Sequence, residues 1–223
     1  MKSKAWMIGF LIPVALGIWS SASLAASKFI DAHLEDLRAV GWPLDGDIND
    51  TNWAQAARAA NEFCKANGFL GGIMNGHQGG AYRGVTCVDS TNAVFIDATL
   101  NELRSTGWAL DGDINFTHWA QAGRAANEFC KSRGLLAGWM NGHQGGDRRG
   151  VLCVNSGAAQ FIDGTLAQFR SVGWPIDGDL NYTNWAQAAR AANEFCKSQG
   201  GFVGGRLNGH QSLIFRGVIC LKA

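Results

Sequence analysis

The feature that most constrains this chain is a unit of 66 residues that occurs three times. Successive copies begin at Phe29, Phe95 and Phe161. Between 29–90 and 95–156 the first two copies agree at 44 of 62 positions, and the third follows the same pattern with one inserted residue. Repetition at this period means that each copy is one structural unit, so fold and function are inferred for the unit first.

Residues 1–25 have the pattern of a secretory signal peptide. Two lysines precede an apolar run from Ala5 to Trp19, and small residues lead to a cleavage position before Ala26. The apolar run has about 15 residues and contains Pro13, which favours a cleaved leader, with a membrane anchor as the alternative. No later segment is long enough to span a bilayer. We therefore expect residues 26–223 to be secreted or periplasmic, without membrane insertion.

The mature chain carries almost no net charge. The full sequence has 19 Lys and Arg against 18 Asp and Glu, and two of the lysines lie in the leader, which leaves a net charge of about −1. Runs of Lys or Arg do not occur. Nucleic acids and anionic lipids are bound through concentrated positive charge, so both are disfavoured as partners.

Cysteines are distributed evenly, two in each copy. In an oxidising compartment such cysteines form disulfides, and one bridge per copy is the simplest of the fifteen pairings, with bridges exchanged between copies as the alternative. A loop of this length contributes about 3 kcal/mol to stability. Zinc is disfavoured because no copy has a C-x-x-C pair. The expected bridges join Cys64 with Cys87, Cys130 with Cys153, and Cys196 with Cys220.

Hydrophobic periodicity predicts two short helices in each copy. Apolar residues recur at i, i+4 and i+7 between Phe29 and Arg38, which predicts the first helix. The segment from Trp53 to Lys65 is rich in alanine and has one apolar stripe, which predicts the second. Thr51 is the predicted N-cap. The C-terminal cap is predicted at a glycine that recurs as Gly68, Gly134 and Gly200.

Two apolar strands are predicted after the second helix, with Asn75-Gly76 as the hairpin turn between them. The disulfide then ties the second helix to the last strand. The predicted fold class is α+β, with three tandem modules of about 66 residues that each contain two short helices, a small β-hairpin and one disulfide. Modules 1, 2 and 3 span 26–90, 91–156 and 157–223. Separate modules and one fused core both remain open.

A repeated polar motif, Asn-Gly-His-Gln followed by arginine, is the strongest candidate for ligand binding, and we expect it to lie exposed on loops. Planar amides, imidazole and guanidinium offer paired donors and acceptors to sugar hydroxyls, and glycine lets a ligand approach the backbone. The alternative is a turn whose neighbours satisfy local backbone groups. Around the motif the copies differ, both at Ile73, Trp139 and Arg206 and at Tyr82, Arg148 and Phe215. This variation suggests a varied rim around a shared centre, with drift in a surface loop as the alternative. The candidate ligand-binding residues are Asn75, His77, Gln78, Arg83, Asn141, His143, Gln144, Arg149, Asn208, His210, Gln211 and Arg216.

A second motif spaces side-chain oxygens at alternate positions, as the start of a calcium loop does. An EF-hand is excluded because position six is never glycine and position twelve is alanine in every copy. A looser calcium site remains the one cofactor considered, with Asx-turns that lead into a capped helix as the alternative. The candidate calcium ligands are Asp45, Asp47, Asn49, Asp111, Asp113, Asn115, Asp177, Asp179 and Asn181.

Tryptophan recurs twice in each module. One set lies on the apolar stripe of the second helix and is predicted to be core: Trp53, Trp119 and Trp185. The other follows a glycine and is also predicted to be core, because units this small need large aromatic burial, with stacking on a sugar ring as the alternative: Trp42, Trp108 and Trp174.

The order Trp-Ala-x-Ala, a cysteine at the end of that helix, a glycine and a last strand with the partner cysteine is similar to C-type lectin-like domains. Because Cys64 and Cys87 lie only 23 positions apart, the long calcium and sugar-binding loop region of that family has no counterpart. None of its functional residues is carried over, and no family is assigned.

Three complete copies favour multivalent binding, in which linked weak sites gain avidity, over turnover, for which one site suffices. The predicted function is a secreted multivalent binding protein, lectin-like, for extracellular glycans or cell-surface polymers. A secreted inhibitor or effector that contacts another protein is the alternative. A polymer-degrading hydrolase comes third, because no hydrolase motif occurs and pairs such as Glu62 with His77 are not diagnostic. The chain is therefore predicted not to be an enzyme.

Overall fold

The fold is taken from a computed structural model that describes residues 26–40, 52–107, 118–172, 185–210 and 215–223. For residues 76–79, 142–145, 209 and 210 it describes the backbone alone. The predicted signal peptide and Trp42, Trp108 and Trp174 lie outside the described residues. No helix in the described ranges is long and apolar enough to cross a membrane.

Each module has the element order strand, helix, helix, strand, strand. Module 1 contains β1 (Ser27–His33), α1 (Leu34–Ala39), α2 (Trp53–Ala66), β2 (Gly71–Gly79) and β3 (Tyr82–Val88). Module 2 contains β4 (Ala93–Thr99), α3 (Leu100–Arg104), α4 (Trp119–Ser132), β5 (Ala137–Gly145) and β6 (Arg148–Val154). Module 3 contains β7 (Ala159–Thr165), α5 (Leu166–Ser171), α6 (Trp185–Ser198), β8 (Phe202–His210) and β9 (Phe215–Lys222). The α+β class and the repeated modules are confirmed at this level.

The first predicted helix is wrong over half of its length. Residues 27–33 form β1, which pairs antiparallel with β3 and places Ile30 opposite Val85, and the helix begins only at Leu34. The apolar positions nevertheless face the core, since Leu37 is fully buried and Ile30 packs against the same cluster. The periodicity therefore identified the buried residues, whereas pairing with β3 decided the type of element.

The predicted hairpin turn at Asn75-Gly76 is also wrong. Strand β2 continues through these residues to Gly79, and the turn follows at Gly80, whose φ is +51°. An irregularity in register between Met74 and His77 absorbs the Asn-Gly pair. Each module therefore has a three-stranded antiparallel sheet, in the orders β1-β3-β2, β4-β6-β5 and β7-β9-β8, in place of a hairpin alone.

The N-caps of α2 and α4 lie one residue after the predicted cap. Asn52, not Thr51, is the N-cap of α2, and its side chain accepts a hydrogen bond from the Ala54 N–H at 2.8 Å. In module 2 the cap is His118, whose Nδ1 accepts from the Ala120 N–H at 3.3 Å. The predicted C-terminal glycines are confirmed, because Gly68, Gly134 and Gly200 have φ values of +84°, +77° and +75°.

All three predicted disulfides are present, and each joins the last turn of a long helix to the last strand of its own module. The bridge packs against a strand glycine. A Cβ added at Gly72 would lie 2.2 Å from the Sγ of Cys64, and at Gly138 it would lie 2.1 Å from the Sγ of Cys130. These strand positions therefore require glycine.

The three modules form one closed ring. Helix α2 packs on β2 of its own module and on β5 of the next, α4 packs on β5 and β8, and α6 packs on β8 and on β2 of module 1. A lysine at the end of each long helix lies over a phenylalanine of the following module, with distances from Nζ to the ring centroid of 4.6, 4.9 and 3.9 Å: Lys65 over Phe95, Lys131 over Phe161 and Lys197 over Phe29. Because the last module contacts the first, the ring has pseudo-threefold symmetry.

Two hydrophobic cores hold the ring together, and both draw on all three modules. The first lies between the long helices and the sheets and contains Trp53, Trp119 and Trp185, as predicted. The second lies on the opposite faces of the sheets and contains Ile73 and Trp139. Arg206, at the equivalent position of module 3, is also buried. The predicted varied rim is therefore wrong at this position, where the variation belongs to the interior.

Candidate functional site at the hairpin ends

The repeated asparagine of the motif is fully buried in every module, at Asn75, Asn141 and Asn208. Asn75 donates to Oδ1 of Asn193 in module 3, and Asn141 donates to Oδ1 of Asn61 in module 1 at 2.6 Å. The predicted exposure of the motif on a loop is therefore wrong for these amides. They lie where two modules meet, so their visible role is to join modules.

The arginine that follows the motif is buried as well, at Arg83, Arg149 and Arg216. Nη1 of Arg83 donates to the carbonyls of Gly80 and Tyr82 at 2.8 and 2.7 Å. In module 2, Nη1 of Arg149 donates in the same way to Gly146 and Arg148 at 2.9 and 2.7 Å. Each of these guanidinium groups lies beneath a hairpin end and hydrogen-bonds its backbone, so the expected exposure of the arginines is also wrong.

The first turn of the short helix completes the support of the hairpin end. The Leu34 N–H donates to the Ala81 carbonyl at 2.9 Å, and the Leu100 N–H donates to the Asp147 carbonyl at the same distance. Together with the arginine bonds, three consecutive carbonyls at each of these ends accept hydrogen bonds from within the protein. Hydrogen bonds of this kind fix the backbone, so the ends are preorganised to present their side chains.

The exposed side chain at each hairpin end is different. Tyr82 is 51% exposed, Phe215 is 39% exposed, and Arg148 at the equivalent position of module 2 is exposed as well. The Tyr82 ring meets the His33 imidazole edge-on, with centroids 5.3 Å apart, and Nη1 of Arg148 donates to the Asp97 carbonyl at 3.2 Å. This position belongs to the predicted varied rim but was not among the candidate ligand-binding residues. It is adjacent in the strand to a buried arginine, so its side chain faces the other way.

The histidines of the motif lie close to the hairpin ends. In the strand register, His77 is opposite Arg83, His143 is opposite Arg149, and His210 is opposite Arg216. Gln78 and Gln144 follow them in β2 and β5, while Gln211 lies outside the described residues. Because the side chains of these residues are not described, their role as ligand contacts stays a prediction.

Glutamate on the long helices is engaged in ion pairs along its own helix. Glu62 Oε1 lies 3.0 Å from Arg58 Nε and 3.3 Å from Lys65 Nζ, and the equivalent residues Glu128 and Glu194 have the same arrangement. Burial lowers the pKa of Arg190, while the charges of Glu194 and Asp31 act in the opposite direction. Glu62 is thus tied to the surface of its helix.

The candidate calcium ligands all lie outside the described residues, so the calcium site stays a prediction. They are Asp45, Asp47, Asn49, Asp111, Asp113, Asn115, Asp177, Asp179 and Asn181. Within the part of the chain that the structure describes, no group of three or more His, Cys, Asp or Glu residues converges as a metal site would require.

Comparisons with protein-family models, with curated proteins and with solved structures found no match to this chain. The interpretation of the hairpin ends therefore depends on the residues of this chain and on their geometry.

Proposed function

We propose that this protein is a secreted multivalent binding protein that recognises extracellular glycans or cell-surface polymers, as lectins do, through the hairpin ends of its three modules. The observation that carries the proposal is the backbone of the hairpin ends of modules 1 and 2, where three consecutive carbonyls are hydrogen-bonded from within. A rigid site loses less conformational entropy when it binds. Three linked sites also gain avidity.

The proposal assigns different tasks to the exposed and the buried residues of each end. Tyr82, with its exposed ring, offers a face for a sugar ring, and His77 and Gln78 hydrogen-bond the sugar hydroxyls. Arg83 and Asn75 act as positioning residues because they are buried. Arg148 selects an acidic group at the second end, and Phe215 selects an apolar group at the third.

The proposed location is outside the cytoplasm. Three disulfides fit an oxidising compartment, and the pattern of residues 1–25 favours export to the periplasm or the medium. Calcium is proposed only as a ligand of the Asp-Gly-Asp segments, with no cofactor otherwise.

The first test is to screen the mature chain on a broad glycan array, once with calcium and once with a chelator. We expect binding to a related group of glycans or polymers. Loss of binding with chelator would support the calcium site, whereas equal binding in both conditions would remove calcium from the proposal. Absence of binding both with calcium and with chelator would contradict the proposed function.

The second test is to change one hairpin end at a time and to measure avidity for a hit from the array. His143→Ala and Tyr82→Ala are each expected to lower avidity about tenfold or more, because one of three linked contacts is lost. Gln199→Ala, an exposed change at the end of α6, is the control, and circular dichroism checks the fold. Unchanged avidity in the alanine variants of His77, His143 and His210 would contradict the assignment of these side chains as ligand contacts.

Exposed aromatic side chains favour a second candidate, a secreted inhibitor or effector that contacts another protein. Tyr82 and Phe215 are large apolar side chains that the described surface leaves open to solvent, and aromatic residues are enriched at protein interfaces. One dominant end is expected in that case. Replacing residues 212–215 by Gly-Gly-Asp-Arg of module 2 would then abolish capture of a partner in a pull-down, whereas a lectin would keep two of its three ends.

A further inference from the structure

The three interfaces between modules are built from the same pair of residues but are not equally satisfied. Each interface brings an asparagine of one long helix close to the asparagine of the Asn-Gly-His-Gln motif in the next module. Between modules 1 and 2, Asn141 donates to Asn61 at 2.6 Å. Between modules 3 and 1, Asn75 donates to Asn193 and also accepts from the Thr86 hydroxyl at 3.4 Å.

The equivalent pair between modules 2 and 3 makes no such contact. Both polar atoms of the Asn208 side chain, and Oδ1 of Asn127, are buried without a hydrogen-bond partner. Asn127 keeps only the bond from its Nδ2 to the neighbouring Glu128, at 3.1 Å, which its equivalents also make. This interface therefore buries three polar atoms of the asparagine pair without partners, against one, Oδ1 of Asn141, at the interface between modules 1 and 2.

One substitution between the copies accounts for the missing bond between the two asparagines. The first residue of β2 is Gly71, and its equivalent in β8 is Gly204. A Cβ at these positions would lie 2.4 Å from Oδ1 of Asn61 and 2.6 Å from Oδ1 of Asn193. Module 2 has Ala137 at this place, fully buried. Its methyl group occupies the space that the helix asparagine uses in the other two modules.

A second substitution weakens the same interface. Helix α4 has Gly123 where α2 and α6 have Ala57 and Ala189. A Cβ at Gly123 would lie 3.7 Å from the Leu207 carbonyl oxygen, which is ordinary van der Waals contact. The interface between modules 2 and 3 therefore lacks a methyl contact for which it has room, and α4 has the weaker helix former.

We propose that the ring opens at the interface between α4 and β8, while the other two interfaces stay closed. Buried polar groups without partners favour the open state, in which water hydrogen-bonds them. The spacer around 155–158 keeps modules 2 and 3 joined during opening. The second and third hairpin ends then change their distance from each other, while each keeps its distance from the first. The value of this adjustable spacing for binding a polymer rests on the proposed function, but the opening itself does not.

Hydrogen exchange of the mature chain without ligand tests the opening directly. The helices α2, α4 and α6 have nearly the same sequence, so their intrinsic exchange rates match and differences reflect packing. We expect amides of α4 to exchange about tenfold faster than those of α2 and α6. Equal exchange in the three helices would overturn the proposal.

Matched variants identify the cause. Ala137→Gly leaves the sequence of α4 untouched and is expected to slow its exchange toward that of the other helices. Gly71→Ala is expected to make α2 exchange fast as well, because its methyl group would meet Oδ1 of Asn61. Gly123→Ala repairs the interface from the other side and gives an independent variant. Exchange of α4 that none of the repairs slows would overturn the proposal. Because no ligand is present, failure here is distinguishable from failure of the binding function.

Discussion

At the scale of single residues, the repeats show how side chains compensate for one another. Module 3 has Phe169 where the other modules have Leu37 and Leu103, and it has Gly164 where they have Ala32 and Ala98. A Cβ at Gly164 would lie 2.7 Å from Cζ of Phe169. The larger ring is accommodated because the facing methyl group is absent.

Gly164→Ala is therefore expected to lower the free energy of unfolding by about 1–3 kcal/mol, because a packed core resists an added methyl group. Adding Phe169→Leu to Gly164→Ala recreates the Ala98 and Leu103 pair of module 2. The double variant is therefore expected to lose less free energy of unfolding than the sum of the losses in the two single variants. Urea denaturation of the wild type, both single variants and the double variant measures the coupling. Additive effects would contradict this account.

At the scale of elements, the caps of the long helices differ in their response to pH. Burial lowers the pKa of His118, and its neutral Nδ1 accepts the N-cap hydrogen bond that Asn52 accepts in module 1. Protonation removes the acceptor and places a positive charge at a helix N-terminus, where the dipole is already positive. The cap is thus a pH-sensitive element.

The pKa of His118 is lower in the folded than in the unfolded state. The cap therefore contributes its full stabilisation of the folded state above the unfolded pKa of about 6.5, and this stabilisation is lost as the pH falls through the folded pKa. The loss is expected to be at most about 1 kcal/mol, since the cap is partly exposed. Urea denaturation between pH 8 and pH 5 measures it. His118→Asn, the residue of module 1, is expected to remove this part of the pH dependence. Identical pH profiles of wild type and variant would refute it.

At the scale of the whole molecule, the ring is closed by an interface without a peptide connection. Modules 1 and 2 are joined by residues 89–92, whereas module 3 meets module 1 through packing, the hydrogen bond from Asn75 to Asn193 and Lys197 over Phe29. Leu221 is equivalent to Val88, and Ser27 is equivalent to Ala93. Leu221 and Ser27 therefore lie at the two positions that the spacer of residues 89–92 connects between modules 1 and 2.

A circular permutant tests whether the three interfaces are interchangeable. Joining Ala223 to Ala26 through one threonine and opening the chain between Ser90 and Thr91 is expected to preserve the fold, with a Tm within a few degrees of the wild type, because the same interfaces form. Circular dichroism and thermal unfolding measure this. A permutant opened between Val85 and Thr86, inside a central strand, is the control and is expected not to fold. Failure of the first permutant would contradict a symmetric closed ring.

Local signals in the sequence were sufficient wherever neighbours along the chain decide the structure. The alanine-rich helices, their terminal glycines and the disulfides followed from periodicity and pairing within one module. The burial of Leu37 was also predictable, although the strand before it was not. The hairpin turn was placed wrongly because Asn75-Gly76 favours a turn locally, whereas pairing of Gly71 to Met74 with β3 extends the strand.

The sequence by itself determined that the chain consists of three copies of a disulfide-linked α+β unit, because repetition, helix periodicity and cysteine pairing are local properties. Only the tertiary structure decided that the copies close into a ring. It also decided that the motif asparagines and arginines point inward, and that Tyr82, Arg148 and Phe215 form the exposed ends. The physical reason is that a polar side chain can be satisfied by water or by a neighbouring module, and only packing between modules determines which partner it has.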